Sequence, residues 1–227
     1  MARNEGGAKA ASRDETGSAT GADGAGFGAA GAEAGALHSR REELLEISAR
    51  LFAERGVRAT TVRHIADAAG ILSGSLYHHF SSKEAIVDEV LRGFLDRLFA
   101  SYSEIVRDAA SPREALERLV RVSFAAIHDS RNQVAIYQDE VKHLQGNPRF
   151  EYLEQRNREF RDMWIGVIDA GQREGEFRAD LDANLTYRFL RDTVWVAVRW
   201  YRPGGKVSEK EIADQYLRIV LDGLASE

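Results

Sequence analysis

The short stretch from Ser73 to His79 contains residue types that suit contact with DNA. Leu76 and Phe80 are four positions apart, so they can anchor one face of a helix of about two turns. The remaining positions are glycine, serine, tyrosine and histidine, and none has a negative charge that would repel phosphate. A helix with an apolar back and a slender polar front fits the major groove of DNA.

The residues before this stretch predict a second short helix and a turn. Thr60 or Thr61 is a hydroxyl N-cap for a helix over residues 62–69, and Gly70 follows where a left-handed residue ends a helix. Ile71 and Leu72 form a two-residue bridge, and Ser73 is predicted to cap the reading helix. An earlier helix, with an apolar stripe from Leu44 to Phe52, would support this pair from behind.

The residues after the stretch predict a contact with the DNA backbone. Ser81 or Ser82 is placed to cap the following helix, and Lys83 comes at its N-terminal end, where free N–H groups and positive charge favour phosphate. Some side chains are expected to contact phosphates and others base edges. The candidate DNA-contacting residues are Arg40, Thr61, Arg63, Ser73, Gly74, Ser75, Tyr77, His78, His79 and Lys83.

The pattern Ile-Ala-x-x-Ala-Gly-x-x-x-Gly-x-Leu-Tyr-x-His-Phe-x-Ser-Lys-Glu, over residues 65–84, resembles the signature of the TetR family of one-component repressors. The resemblance implies an all-α fold with an N-terminal three-helix helix-turn-helix domain and a C-terminal helical domain for ligand binding and dimerisation. It also implies a homodimer formed through the last two helices and bound to a palindromic operator in double-stranded DNA.

Arginines recur on one side of a helix predicted over residues 184–202. At about 100° per residue they share one arc with Trp195, while most of the remaining circumference is apolar. They could pair with Asp139, Glu140 or Asp192, or face water, or they could line a pocket that holds an anionic ligand beside Trp195. The candidate ligand-binding residues are Phe124, Tyr137, Trp164, Arg188, Arg191, Trp195 and Arg199.

Three further segments are similar to the actinobacterial ketosteroid regulators of that family: residues 137–140, Tyr-Gln-Asp-Glu, residues 148–150, Pro-Arg-Phe, and residues 191–205, which begin Arg-Asp-Thr-x-Trp. This similarity implies an effector that is a coenzyme A thioester of a steroid ring remnant, and control of genes for steroid or cholesterol catabolism. The alternatives are a TetR-type regulator of another acyl-CoA or lipid pathway, or an all-α ligand-binding enzyme.

The amino-acid composition of the chain argues against several other functional classes. The net charge is −5, so any DNA contact is a local patch on an acidic chain. Without cysteine, thiol catalysis and Cys-ligated zinc are excluded. Glu140-x-x-His143 has the spacing of one half of a di-iron site, but a matching second half is missing, so no metal, cofactor or catalytic residue is predicted. With no apolar run long enough for a membrane span and no secretory signal, we expect a cytoplasmic protein.

The predicted organisation has three parts. Residues 1–37 are rich in glycine and alanine and are expected to be a disordered tail, because they have little apolar surface to bury. Residues 38–84 form the helix-turn-helix domain. Residues 85–227 form the ligand-binding and dimerisation domain, which a long helix starting near Ser82 connects to the first.

Overall fold

The computed structural model describes the backbone of residues 26–224 and the side chains of residues 39–224. Its regular elements over these residues are helices, which confirms the predicted all-α class. The chain divides into two compact units, residues 1–40 and residues 41–227. Within the second unit, one continuous hydrophobic core extends across the boundary predicted at residues 84 and 85.

The first helix, α1 (Gly26–Arg55), begins earlier than predicted. Residues 26–37 were expected to belong to the disordered tail, but their backbone is helical. The physical reason is that adding residues to an existing helix is much easier than nucleating one, and alanine has the highest helix propensity. The rest of the predicted tail, residues 1–25, lies outside the described residues.

Two short connections link the first three helices, at the end of the second unit where the sequence predicts contact with DNA. Gly56 ends α1 with a φ of 81°, in the left-handed region where a side chain is strained. Thr61 caps α2 (Val62–Ala68), and Gly70 turns the chain with a φ of 67° toward α3 (Ser73–His79). The prediction that Ser73 caps α3 was wrong, because Ser73 is already the first helical residue and the N-cap is Leu72.

The fourth helix, α4 (Lys83–Asp108), runs from the end of the helix-turn-helix into the C-terminal part. Ser82 is its N-cap and accepts a hydrogen bond from the Ala85 N–H at 3.1 Å. With 26 residues, this helix is long enough to reach from one region to the other. Buried residues recur along most of its length, so α4 behaves as a rigid rod between the two regions.

The C-terminal helices are α5 (Pro112–Asp129), α6 (Arg131–Leu144), α7 (Tyr152–Arg173), α8 (Ala183–Trp195), α9 (Ala197–Trp200) and α10 (Glu209–Leu224). They pack around α5, which contacts each of the others and α4. A 3₁₀ turn, Pro148–Phe150, separates α6 from α7. No helix within residues 26–224 has the length and apolar composition that crossing a bilayer requires.

The single helix predicted over residues 184–202 is interrupted. It ends as α8 at Trp195, and after Val196 only the short α9 follows. The run from Thr193 to Val196 consists of β-branched and aromatic residues with modest helix propensity. In addition, the Thr193 hydroxyl donates to the Phe189 carbonyl oxygen at 2.6 Å, a back-bond that bends helices. Arg191 and Arg199 therefore belong to two separate helices, α8 and α9.

Candidate functional site

Helix α3 has the buried back and exposed front that its sequence predicts. Leu76 and Phe80 are buried and anchor it in the core. On the other side, Gly74, Tyr77 and His78 are exposed, while the candidates Ser73, Ser75 and His79 are half-buried. Because the front is uncharged and low in bulk, it leaves room for base edges to approach the helix.

The two candidates at the start of α2 differ in what they contact. The Thr61 hydroxyl accepts a hydrogen bond from the His64 N–H at 3.2 Å, and the Thr61 N–H donates to His64 Nδ1 at 3.3 Å. Thr61 therefore builds a capping box. Arg63 has 83% of its side chain exposed and lies 3.7 Å from Asp67. Such an exposed pair is weak, so the guanidinium remains accessible to phosphate.

Arg41, which forms a basic pair with Arg40 near the predicted start of the supporting helix, holds the end of α3. Its Nε donates to Glu89 Oε1 at 2.8 Å, and a second nitrogen donates to Glu89 Oε2 at 2.5 Å. Its other terminal nitrogen donates to the His79 carbonyl oxygen, and the guanidinium lies 4.3 Å from the centre of the Phe80 ring. Arg41 thereby joins α1, α3 and α4, whereas the candidate Arg40 lies on the part of α1 that belongs to the other unit.

Lys83, which the sequence predicts to contact phosphate, also makes a hydrogen bond within the protein. Its ammonium group donates to the Val57 carbonyl oxygen at 2.7 Å, which ties the start of α4 to the loop after α1. An ammonium group has three donors, so this bond leaves others for a phosphate. A substitution of Lys83 would therefore change both the loop and the surface charge.

A cavity of about 360 Å³ lies between α4, α6, α7 and α8. Three candidate ligand-binding residues, Tyr137, Arg191 and Trp195, line it, so the structure brings these together. The Tyr137 hydroxyl donates to Asn157 Oδ1 at 2.5 Å across the cavity wall. The sequence did not predict the other lining residues, which are Phe94, Leu95, Leu98, Gln138, Val141, Lys142, Gln145, Asn157, Phe160, Tyr187 and Asp192.

The lining of the cavity combines apolar side chains with polar ones, two of which are cationic. Arg191 Nε donates to Asp192 at 2.7 Å, and its guanidinium lies 5.6 Å from the centre of the Tyr187 ring. This bond to Asp192 raises the pKa of Arg191, so the group stays charged. Lys142 also lines the cavity and has no ion-pair partner among the described residues. Burial raises the pKa of Tyr137 above its usual value, so that phenol is neutral near physiological pH.

Four other ligand-binding candidates are not brought to this cavity. Phe124 is buried on α5 and packs edge-on against Tyr216, with ring centres 5.7 Å apart. Trp164 is buried inside an aromatic cluster with Tyr102 and Phe160. Arg199 pairs with Asp139 at 3.2 Å, and Arg188 is exposed on α8. Arg199 therefore follows the ion-pair alternative that the sequence left open.

Part of the unpredicted lining has a signal in the sequence. Phe94, Leu95 and Leu98 lie among the buried apolar positions that recur along α4. Tyr137, Val141 and Gln145 recur every four residues and so share one side of α6 and its C-cap. In a helical sequence, core residues and cavity residues have the same spacing, so only the arrangement of neighbouring helices separates them.

A row of exposed apolar side chains lies on the C-terminal helices. It consists of Leu185 and Phe189 on α8, Val196 and Trp200 around α9, and Ile219 on α10. Leu185 and Phe189 are four residues apart in α8, so they share one side of that helix. Phe189 and Ile219 are 64% and 68% exposed. Apolar patches of this kind on soluble proteins mark interaction surfaces.

The family follows from comparison with known proteins. Residues 44–90 match the model for bacterial regulatory proteins of the tetR family, and residues 109–224 match the Tetracyclin repressor-like, C-terminal domain. The chain belongs to the TetR family. The family is regulatory, so the chain is a transcriptional regulator and not an enzyme.

The relatives narrow this to one group of repressors. The HTH-type transcriptional repressor KstR2 of Rhodococcus jostii strain RHA1 is 66% identical over 187 residues, covering 82% of this chain and 92% of that protein. KstR2 of Mycobacterium tuberculosis strain H37Rv is 59% identical over 194 residues, covering 86% of this chain and 97% of that protein. The solved structure of the ketosteroid transcriptional regulator KstR2 of Mycobacterium tuberculosis gives a TM-score of 0.82 at 60% identity, covering 83% of this chain and 96% of that chain. This TetR-family chain is a transcriptional repressor closely related to KstR2.

Proposed function

We propose that this repressor binds a palindromic operator as a homodimer in the cytoplasm and is released by a bulky anionic effector. The proposed effector is a steroid-derived acyl-CoA thioester, and the proposed targets are genes of steroid or cholesterol catabolism. The sequence identity to KstR2 supports the proposed role in a steroid pathway, because a solved KstR2 structure is that of a ketosteroid transcriptional regulator.

The observation that carries the proposal is that α4 forms one wall of the cavity. Phe94, Leu95 and Leu98 line it, and the same helix begins at Lys83 beside the DNA-contacting helices. An acyl group that enters between α4 and α8 would press on this rod and move the attached α3. The ligand changes operator affinity only to the extent that it binds the two arrangements differently.

The combined size of two adjoining cavities supports an acyl-CoA. The cavity beside α4 is apolar toward Phe94 and Trp195, as a fused-ring acyl group requires. A second cavity of about 670 Å³ shares Val141, Gln145 and Asn157 with it and extends along the loop before α7. In the proposal the acyl group occupies the first cavity and the polar coenzyme extends into the second. The cationic side chains of the first cavity favour a ligand with negative charge.

Dimer formation is supported by the exposed apolar row on α8, α9 and α10. Burying these side chains against a second copy would remove them from water, and a two-fold axis places the same patch on both subunits. The two α3 helices would then read the two halves of a palindrome. AibR, a protein of the same fold with a TM-score of 0.71 at 24% identity, was solved in complex with isovaleryl coenzyme A and operator DNA, which supports proposing these two classes of partner here.

A gel-shift assay with the DNA upstream of the chain's own gene tests this proposal. We expect retardation of that DNA by the purified protein, and release on addition of a steroid-derived acyl-CoA but not of free CoA. Absence of retardation at low salt would overturn the repressor assignment for this DNA. Release by short-chain or linear acyl-CoA compounds but not by steroid-derived ones would favour the alternative, a regulator of another acyl-CoA or lipid pathway.

A further inference from the structure

Leu72 is placed in an unusual way at the start of the recognition helix. It is 80% exposed, the largest exposed fraction of any large apolar side chain among the described residues. It is also the N-cap of α3, where Ser, Thr, Asp and Asn are favoured because their side chains accept a backbone N–H. Leucine makes no such bond, so the position gains neither burial nor capping from this residue.

The neighbouring residues show that the fold does not need leucine here. Ile71 is the residue that packs against the core at this turn, and Leu76 and Phe80 anchor the other side of α3. The turn is closed by backbone bonds, among them the Ile71 N–H to the Ala66 carbonyl oxygen at 3.0 Å. A residue that caps α3 would therefore stabilise the protein more than Leu72 does. A position with a less stabilising residue than the fold allows points to a functional requirement.

The partner follows from what a major groove presents. The N-terminal residues of a recognition helix approach base edges most closely, and Leu72 precedes Ser73 and Gly74 at that end. Base edges in the groove consist of hydrogen-bond donors and acceptors, with one apolar group, the C5-methyl of thymine. A leucine side chain can make a favourable contact with that methyl group, whereas it cannot form a hydrogen bond with the donors and acceptors of a base edge.

We propose that Leu72 is a specificity-determining residue that packs on a thymine methyl group at one position of each operator half-site. This rests on the proposed operator binding and goes beyond it by naming the base and the atom that are recognised. Uracil lacks the methyl group but keeps every hydrogen-bonding group of thymine, so thymine-to-uracil replacement isolates this contact.

The test replaces thymines by uracil, one symmetric pair at a time, in the operator obtained from the gel-shift assay. Fluorescence anisotropy then measures the affinity of the parent, of Leu72→Ala and of the control Val106→Ala, whose exposed apolar side chain lies at the far end of α4. For one symmetric pair we expect the parent and the control to lose about fourfold per half-site, the value of one buried methyl group. Leu72→Ala should bind the thymine operator more weakly and be insensitive to uracil at that pair.

A second variant separates recognition from folding. Leu72→Ser supplies a favoured N-cap, so its melting temperature should equal or exceed that of the parent while its operator affinity falls. Equal sensitivity of Leu72→Ala and the parent at every thymine would overturn the inference, and so would unchanged operator affinity of both Leu72 variants. If the parent does not bind the unmodified operator, it is the proposed function that fails, so the two failures are distinguishable.

Discussion

Arg41 shows how a single side chain can set the position of a recognition helix. It contacts Glu89 through two nitrogens, the His79 carbonyl oxygen through a third, and the face of the Phe80 ring. Because these contacts are all internal, the effect of Arg41 on operator binding should come through the geometry of α3.

We expect Arg41→Met to weaken operator binding by about tenfold, because a charged hydrogen bond to a helix end and an ion pair are lost together. The slope of log affinity against log salt should stay unchanged, since no phosphate contact is removed. Titrations at several salt concentrations measure both quantities, with Arg97→Met on the exposed side of α4 as the control. A slope flattened by about one unit would mean that Arg41 contacts phosphate directly.

Arg191 and Arg188 offer a matched pair on the same helix. Arg191 lines the cavity with Tyr137 and Trp195, whereas Arg188, one turn earlier and exposed, does not. We expect Arg191→Met to bind operator like the parent but to need at least about tenfold more acyl-CoA for release, because a charge-assisted contact is lost. Arg188→Met should release like the parent in the same gel-shift titration. Identical release curves for both variants would show that Arg191 has only a structural role.

At the scale of elements, Asp88 connects α4 to the turn between α6 and α7. It is nearly buried, accepts a hydrogen bond from Arg92 Nε at 2.8 Å, and lies 3.5 Å from Arg149 of the 3₁₀ turn. The Arg92 guanidinium in turn lies 3.7 Å from the centre of the Tyr152 ring. The turn that Asp88 holds follows the cavity residue Gln145 closely in the chain, so Asp88 joins α4 to a segment next to the cavity.

We therefore expect Asp88→Asn to reduce the effect of the effector more than the binding of operator. The substitution keeps the volume but removes the charge that pairs with Arg92 and Arg149. The measured quantity is the ratio of operator affinities without and with saturating acyl-CoA, which should fall by at least about fivefold, or about 1 kcal/mol of coupling. A ratio equal to that of the parent would exclude Asp88 from the coupling between the cavity and α3.

The sequence predicted the positions of the helices better than it predicted which side chains they bring together. Apolar residues at helical spacing and the cap at Ser82 were sufficient to place α2, α3 and α4 to within a residue or two. The interruption at Val196 was missed; one turn before it the Thr193 hydroxyl donates to the Phe189 carbonyl oxygen, a bond that bends helices and that the spacing of apolar residues does not indicate. Trp164 and Trp195 look equivalent in the sequence, and only the packing of α7 and α8 places Trp195 at the cavity and Trp164 in the core.

At the scale of the whole molecule, the proposed dimer depends on the apolar row of α8 to α10. Phe189→Glu places a charge in the middle of that row, where its burial against a second copy would be unfavourable. We expect a monomer in sedimentation experiments. Operator affinity should fall by at least about a hundredfold, because the DNA-binding domains that bind the two half-sites are no longer linked in one dimer. Val106→Glu, on the exposed side of α4, is the control and should remain dimeric. A dimeric Phe189→Glu variant would place the subunit interface elsewhere.

The central claim is that one ligand, bound in the cavity beside α4, lowers the affinity of the dimer for its operator. Linkage requires the same factor in both directions, so the operator must lower the affinity for the ligand by as much as the ligand lowers the affinity for the operator. Calorimetry of the steroid-derived acyl-CoA with the free dimer and with the operator complex, combined with operator titrations at zero and saturating ligand, measures both factors. We predict equal factors of at least about tenfold. Tight ligand binding that leaves operator affinity unchanged would contradict the account.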